Sequence, residues 1–366
     1  MINLKTLSEL VNISSFDLKQ NKKIINYLTS RFEPFADEIV KLKTPASNKE
    51  NLLIGINTKL NNVSNAVVLS GHIDTVVASE AEWKTNPCKL TNVSGRVYGL
   101  GVIDMKCFFA SIIDNIQQIK KLNIPTIIAV SSDEETNLFG IKQITTYFKQ
   151  NKITPRFTII GEPTSLKICT SSKSCYEYKV QIKGKSCHSS QPENGINSVF
   201  VAAKLISEIE ELSLCLEGTT LNVGVVSGGS MINIVPDNAE IKFDIRSKTK
   251  KGLKEALSMV KQKIKKLKNQ YAGAEIKITQ TLAIPALENL KDSFVTSFAK
   301  NNNIELNEFL GGAEAGYFQE LGGKAILFGA GDLNLAHKPN EYLKISAFEK
   351  YNKLLLKMLQ LLSENK

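Results

Sequence analysis

Four short apolar runs, each emptying into a stretch of metal-ligating side chains, constrain this sequence more than any other feature. Val67-Val68-Leu69-Ser70 leads into Gly71-His72-Ile73-Asp74-Thr75, and Pro125 to Val130 leads into Ser131-Ser132-Asp133-Glu134-Glu135. Phe157 to Ile160 leads into Gly161-Glu162, and Lys324 to Phe328 runs toward Ala336-His337. Apolar runs of this length, bounded by turn residues, read as buried strands. Between them lie helical patterns, one through Phe108, Ile112, Ile113, Ile116 and Ile119 and another over roughly 138–150. Strand and helix therefore alternate at the spacing of βαβ units, which places the chain in the α/β class with helices flanking a sheet. In such sheets ligands collect beyond the carboxyl ends of the strands.

The whole chain has three histidines, and two of them, His72 and His337, follow strand runs, with acidic residues at the exits between them. Clustered carboxylates repel one another unless a cation sits among them, so packing offers no reason for such a crater and a metal site does. In His72-Ile73-Asp74 the aspartate carboxylate can accept from one ring nitrogen and leave the other for a metal. Glu134-Glu135 reads as a solvated turn only if its position directly after a buried strand is ignored. Glycines in Gly99-Leu100-Gly101-Val102-Ile103-Asp104 imply tight backbone, with Asp104 where a helix is expected to begin.

From about residue 173 the pattern changes. Cys175 to Lys183 alternates as a strand, 195–212 reads as a helix, 220–227 and 239–246 as strands, Lys248 to Lys268 as a helix and 274–281 as a strand. This βαββαβ order is an α+β, ferredoxin-like unit inserted in the chain. The expected division is a discontinuous catalytic domain, 1–172 and 283–366, with an inserted domain over 173–282. At the N-terminus two helices are expected within 4–33, the second capped by Ser14 or Ser15, and strands near 36–42 and 51–57.

Net charge is +10, but nine lysines and one glutamate lie in Lys248 to Lys268, whose Leu253, Leu257, Val260, Ile264 and Leu267 recur at helical spacing. An amphipathic helix with a solvated basic face explains them, and no nucleic-acid-binding motif supports the rival reading. No apolar run is long enough to span a bilayer. Met1 to Lys5 lacks the basic and apolar regions of a secretory signal. The six cysteines are scattered without a Cys-x-x-Cys pair, which suits a reducing, cytoplasmic setting.

Taken together, Ser70 to Thr75, Gly99 to Lys106, Ser132 to Glu135, Gly161-Glu162-Pro163-Thr164, Cys187-His188-Ser189-Ser190 with Pro192 and Gly195 to Asn197, Gly228-Gly229 with Asn233 to Pro236 and Asp244 to Arg246, and Ala336 to Pro339 resemble the co-catalytic di-zinc aminoacylase, deacetylase and carboxypeptidase family. The resemblance implies a zinc-peptidase-like catalytic domain with a mixed sheet flanked by helices, and an insert that serves as lid and dimerisation domain. It implies two zinc ions per subunit, with cobalt or manganese as possible substitutes. His72 and Glu162 hold one ion, Glu135 and His337 the other, and Asp104 bridges, with a cis peptide just after Asp104. Asp74 orients His72, and Glu134 is the general base. His188 reaches the partner subunit's active site and steadies the tetrahedral oxyanion, which implies a homodimer through the inserts. Arg246 clamps the substrate α-carboxylate, helped by Asn233 and more weakly by Lys173.

The implied activity is hydrolysis of an N-acyl amino acid. Gly312 to Phe318 with Glu314, then Gly329 to Gly331 and Ala336 to Tyr342, resemble the branch that acts on N2-acetyl-L-ornithine in arginine biosynthesis. Desuccinylation of a diaminopimelate, or hydrolysis of another acyl amino acid or dipeptide, is the alternative. Departures from the family pattern are Cys107 for glycine, Ala313 for threonine, Ala330 for proline and Ser172-Lys173-Ser174 for His-Lys-Gly. A rival of another class, a binding protein that kept the metal site and lost catalysis, is expected to lack Glu134 or a ligand, and none is missing.

Overall fold

The computed structural model describes residues 3–45 and 47–364, so Met1 and Ile2 of the N-terminal reading lie outside it. The chain forms two compact units. The first comprises Met1–Ser171, Asn289–Phe309 and Glu314–Lys366, and the second Ser172–Glu288 with Leu310–Ala313.

The first unit opens with helices α1 (Lys5–Val11) and α2 (Leu18–Phe32). The cap of α2 is Asp17, whose carboxylate accepts the Gln20 N–H at 2.8 Å, rather than Ser14 or Ser15. Asp17 is extended and directly precedes the first helical residue, whereas the serines stand too early to reach the orphan N–H groups of the first turn. Then follow β1 (Glu38–Lys43), β2 (Glu50–Ile56), β3 (Ser64–His72), β4 (Thr91–Val93), β5 (Arg96–Tyr98), α3 (Cys107–Lys121), β6 (Thr126–Ser131), α4 (Phe139–Gln150), β7 (Thr154–Ile160) and β8 (Ile168–Ser172). Asp104 is not the start of the helix. Asp104 and Met105 have non-helical backbone angles, their peptide bond is cis as the resemblance implied, and α3 begins at Cys107.

In the second unit, β9 (Cys175–Lys183), β10 (Cys187–His188), α5 (Ser198–Cys215), β11 (Thr219–Gly228), β12 (Ile234–Val235), β13 (Asn238–Ser247), α6 (Lys250–Gln270) and β14 (Glu275–Ile284) follow the βαββαβ order. Their four long strands pair antiparallel in the order β11-β13-β9-β14, the ferredoxin-like arrangement. Val201, Leu205 and Ile209 of α5 and Leu253, Ala256, Val260, Ile264 and Leu267 of α6 form one core with Val180, Ile182, Ile241 and Phe243 of the sheet. The apolar stripe of α6 is thus consumed by packing, and its lysines take the opposite face. Asn197 and Thr249 cap α5 and α6 through their side chains.

The chain then returns to the first unit through α7 (Ser293–Asn301), β15 (Leu306–Phe309), α8 (Ala315–Gln319), β16 (Lys324–Leu327), β17 (Tyr342–Lys344) and α9 (Ile345–Glu364). Eight strands make one mixed sheet in the order β1-β2-β6-β3-β7-β16-β8-β15. One of its faces packs in a core with α1, α2, α3, α7 and α9, which takes Val67 and Leu69 of β3. Val68, between them, points to the other face, as strand alternation requires. At the centre, β6, β3, β7 and β16 are adjacent and parallel, so their carboxyl ends share one edge. Among the described residues, no helix is long and apolar enough to cross a membrane.

Candidate metal centre and active site

Register builds the site. His72 pairs with Ser131 across β3 and β6, so the Ser132–Glu135 loop leaves the sheet beside the imidazole. Ser70 pairs with Ile160 across β3 and β7, and two residues onward, His72 at the end of β3 and Glu162 just past β7 follow from the same register. Gly161 is required between them. A Cβ there would lie 2.1 Å from the ring carbon Cγ of Phe108, a fully buried side chain of α3.

His72 is buried. Its Nδ1 lies 3.0 Å from the Asp74 carbonyl oxygen, and its Nε2 lies 2.9 Å from Asp104 Oδ1. The expected orienting contact from Asp74 is therefore made by its backbone; its carboxylate stands 3.7 Å from Nδ1. A two-residue separation lets the carbonyl reach back over the imidazole, and the side chain is used elsewhere. Asp74 Oδ1 accepts the Glu134 N–H at 3.3 Å and Oδ2 the Glu135 N–H at 3.2 Å, bracing the loop that carries both glutamates.

Asp104 faces a different histidine with each oxygen. Oδ1 meets His72, and Oδ2 lies 3.4 Å from His337 Nε2, which is also 2.9 Å from Glu135 Oε1. Among the described residues, three donor sets have their ligand atoms within 4.8 Å of one another: His72–Asp104–Glu162, Asp104–Glu135–His337 and His72–Glu134–Glu135. Asp104 belongs to the first two sets and so can be shared between two ions. This is what five of the sequence-selected residues require of a paired centre, and imidazole nitrogen with carboxylate oxygen is a donor set that suits zinc.

The electrostatics of the cluster favour positive charge. Burial, and then repulsion from Asp104, pushes the Glu162 carboxyl well above its usual range. Burial likewise lifts Glu134 to about 8, with Glu135 and Asp104 adding to the rise against the pull of His72. Burial also raises Asp104, but hydrogen bonds from His337 and His72 outweigh it and hold that carboxyl below the ordinary range. His337, bonded to Asp104 and Glu135, is pushed up to about 10. Anions packed this closely, leaning on two histidines for charge, form a cradle for cations.

Three further groups around the centre escaped the sequence reading as site components. Glu314, noted only as a substrate marker, is buried against the floor of the site, where it accepts from Ser131 Oγ and, at 3.4 Å, from Ser70 Oγ. Lys49 Nζ lies 2.8 Å from Asp133 Oδ1, a buried ion pair directly beside the glutamate loop. Glu341 is buried and accepts the N–H groups of Gly101 and Ile103, and burial pushes its carboxyl up to about 8. A lone lysine or glutamate in a loop carries no pattern in sequence that distinguishes it from a surface charge.

Four expected substrate residues belong to the second unit. His188 is exposed, its Nδ1 2.7 Å from Ser190 Oγ, on β10 opposite Ile234 of β12. The Asn233 carbonyl accepts the Ser189 N–H at 3.0 Å and so lies beside the His188 turn. Arg246, near the end of β13, donates from Nε to Asp244 at 2.7 Å, an in-strand partner that steadies the guanidinium. Lys173 is half-buried in the connection between β8 and β9.

Comparison with known proteins identifies the family. The model of peptidase family M20/M25/M40 matches residues 68–361. The chain is 32% identical over 363 residues to an acetylornithine deacetylase of Aliivibrio fischeri (strain ATCC 700601 / ES114), covering 94% of this chain and 93% of that one. It is 29% identical over 360 residues to an acetylornithine deacetylase of Buchnera aphidicola subsp. Acyrthosiphon pisum (strain Tuc7), covering 93% and 92%. In fold it is similar to a tripeptidase of Staphylococcus aureus, with TM-score 0.80, 22% identity and 100% of both chains covered. It is equally similar to aminopeptidase PepT of Bacillus cereus, with TM-score 0.81, 22% identity and 99% of both chains covered. With the strand-end cluster and the matched length considered together, this chain belongs to peptidase family M20/M25/M40 and is a metal-dependent amide hydrolase.

Proposed function

We propose that this protein removes the acetyl group of N2-acetyl-L-ornithine, yielding L-ornithine and acetate. The observation that carries the reading is the shared position of Asp104 between two histidine-carboxylate sets, with Glu134 beside them. Support for the substrate comes from the relatives named acetylornithine deacetylase at about 30% identity over nearly the full length. In this reading His72 and Glu162 would hold one zinc and Glu135 and His337 the other, with the Asp104 carboxylate, a member of both donor sets, available to each. Cobalt can substitute, since oxygen and imidazole ligands accept either ion.

The bound ions supply Lewis-acid polarisation of the acyl carbonyl and a lowered pKa for water. The protein's own groups do the rest. Asp74 holds the Glu134 backbone, and Glu134 takes the proton from the attacking water and delivers it to the leaving amine. Arg246, with Asn233 and Lys173, binds the α-carboxylate, where a guanidinium fork matches two oxygens. Across a dimer, His188 donates to the oxyanion of the tetrahedral intermediate in the neighbouring subunit's active site.

The functional form in this reading is a homodimer through the second unit. The edge strand β11 exposes Val225 and Val226, and Phe200, Met231 and Ile232 are exposed on the same unit. Exposed apolar side chains on an unpaired edge are what a second copy of the chain would cover. A reducing, cytoplasmic location fits the six free cysteines.

The test is amine release from N2-acetyl-L-ornithine and N-succinyl-diaminopimelate side by side, with zinc, with cobalt and with chelator. Turnover of the acetyl substrate that chelator abolishes and metal restores is the expected result. Preference for the succinyl substrate would keep the chemistry and overturn the substrate. Metal binding without turnover of any acyl amino acid would favour the binding-protein reading.

A further inference from the structure

Among the described residues, Glu341 is the one carboxylate beside the cluster whose hydrogen bonds go to backbone N–H groups of the loop that carries Asp104. It is buried at 2% exposure, and its two oxygens take one N–H each: Oε2 from Gly101 at 3.0 Å and Oε1 from Ile103 at 2.8 Å. Among the described residues it makes no side-chain ion pair within 4.0 Å; besides this pair of amides, the Asp104 N–H and the charge of Lys106 also act on it. A buried carboxyl whose two oxygens both accept from backbone N–H groups leaves polar atoms unpaired if the geometry is lost, so its presence argues that the loop is built around it.

The loop has little freedom otherwise. Gly101 is left-handed at φ 72°, and a Cβ there would lie 2.6 Å from Thr75 Cγ2. Its carbonyl accepts the Lys106 N–H at 2.9 Å, closing the turn that contains Asp104. On the other side, β17 pairs with β5 in the register Tyr342 with Tyr98, and the Glu341 carbonyl accepts the Gly99 N–H at 3.2 Å. Glu341 stands four residues after His337. One residue thus joins the segment that presents His337 to the segment that presents Asp104, the two groups whose Nε2 and Oδ2 are 3.4 Å apart.

From this we infer that Glu341 is a positioning residue for the shared carboxylate. It binds no metal and touches no substrate. Its oxygens fix the Gly101–Ile103 backbone so that Asp104 presents one oxygen to each histidine set, and its place in the chain makes that setting common to His337. The inference rests on the reading that Asp104 is shared by two ions. Partners that orient metal ligands in this way are worth about 10–100-fold in metal affinity.

The test is zinc titration of the metal-free full chain against a chromogenic chelator, for wild type, Glu341→Gln, Glu341→Asp and Asp104→Asn, with circular dichroism to establish that each is folded. In Glu341→Gln the amide nitrogen opposes a backbone N–H, so one of the two bonds is lost at nearly constant shape. The expected result is zinc affinity lower by about 10–100-fold in Glu341→Gln at retained ellipticity. Glu341→Asp keeps the carboxyl and both oxygens but draws them back by one methylene, and is expected to fall between Gln and wild type. Should the Gln variant not fold, the Asp variant is read by the same criterion. Wild-type zinc affinity in whichever folded variant is measured overturns the proposal, provided Asp104→Asn is weakened. Wild-type binding of both zinc ions by Asp104→Asn would instead overturn the reading beneath it, and Glu341 with it.

Discussion

Replacing Lys49 by methionine tests the framework around the two catalytic-loop glutamates. Lys49 Nζ and Asp133 Oδ1 are 2.8 Å apart, and the side chains are only 10% and 2% exposed. At an effective dielectric of about 20, two unit charges at that distance attract by about 6 kcal/mol before desolvation is counted. Much of this offsets the cost of burying the ions, but loss of one partner leaves the other buried and unpaired, which costs about 3–5 kcal/mol. Ser47 Oγ still donates to Asp133 Oδ2 at 2.5 Å, so the lower part of that range is expected. At about 3–4 kcal/mol, for a cooperative unit of about 150–250 residues, this lowers Tm by roughly 6–16 °C, measured by calorimetry on the metal-free protein. Asp133→Asn added to Lys49→Met is expected to restore most of the loss. Asparagine tolerates the left-handed backbone at Asp133, φ 67°, and its amide oxygen still accepts from Ser47. A Lys49→Met variant melting within about 2 °C of wild type, or a double variant no better than the single, would refute the reasoning.

Glu134→Gln is expected to bind zinc as wild type does while kcat falls by at least ~10²-fold, and near-normal turnover would remove Glu134 from the role of base. His188→Ala is expected to lower kcat with zinc content unchanged, because His188 lies in the second unit and none of the three donor sets contains it; loss of zinc would show that it is misplaced. Asp292 caps α7 through the Val295 N–H and pairs with Lys324 at 2.6 Å. Burial acts to raise its carboxyl, but Lys324 and the helix N–H groups prevail and hold it below the ordinary range. A depressed folded pKa contributes stability above the unfolded value of about 3.9 that is lost as pH falls through the folded one. The Tm advantage of wild type over Asp292→Asn should therefore shrink from pH 6 to pH 3, and a difference independent of pH would show that the charge contributes nothing.

The strands and helices that frame the site were legible because their signals are local. The run before His72, the helical spacing through Phe108 and Ile119, the alternation from Cys175 to Lys183 and the stripe of the lysine helix all appear as elements of the expected type. Errors came where a choice among neighbours decided the outcome. Asp17, rather than Ser14 or Ser15, caps α2, and the helix after Asp104 waits until Cys107 because the loop backbone is not helical. The short strands β4, β5 and β17, which set His337 beside the Asp104 loop, are too brief for periodicity to reveal.

By itself the sequence determined that strand ends carry His72, Glu134, Glu135 and Glu162, since a continuous apolar run and the residues that end it are written within a few positions of one another. The tertiary structure decided which of those ends meet. Parallel pairing of β6, β3, β7 and β16 brings His72 to Glu162 and turns the two oxygens of Asp104 toward histidines 32 and 233 residues away in opposite directions along the chain. It also redirected Asp74 from imidazole to the Glu134 and Glu135 backbone, and gave Lys49 and Glu341 buried partners 84 and about 240 residues distant. The physical reason is that a charge's role is set by what is left near it once water is excluded. Exclusion of water is a property of the packed sheet and its loops, not of any segment read alone.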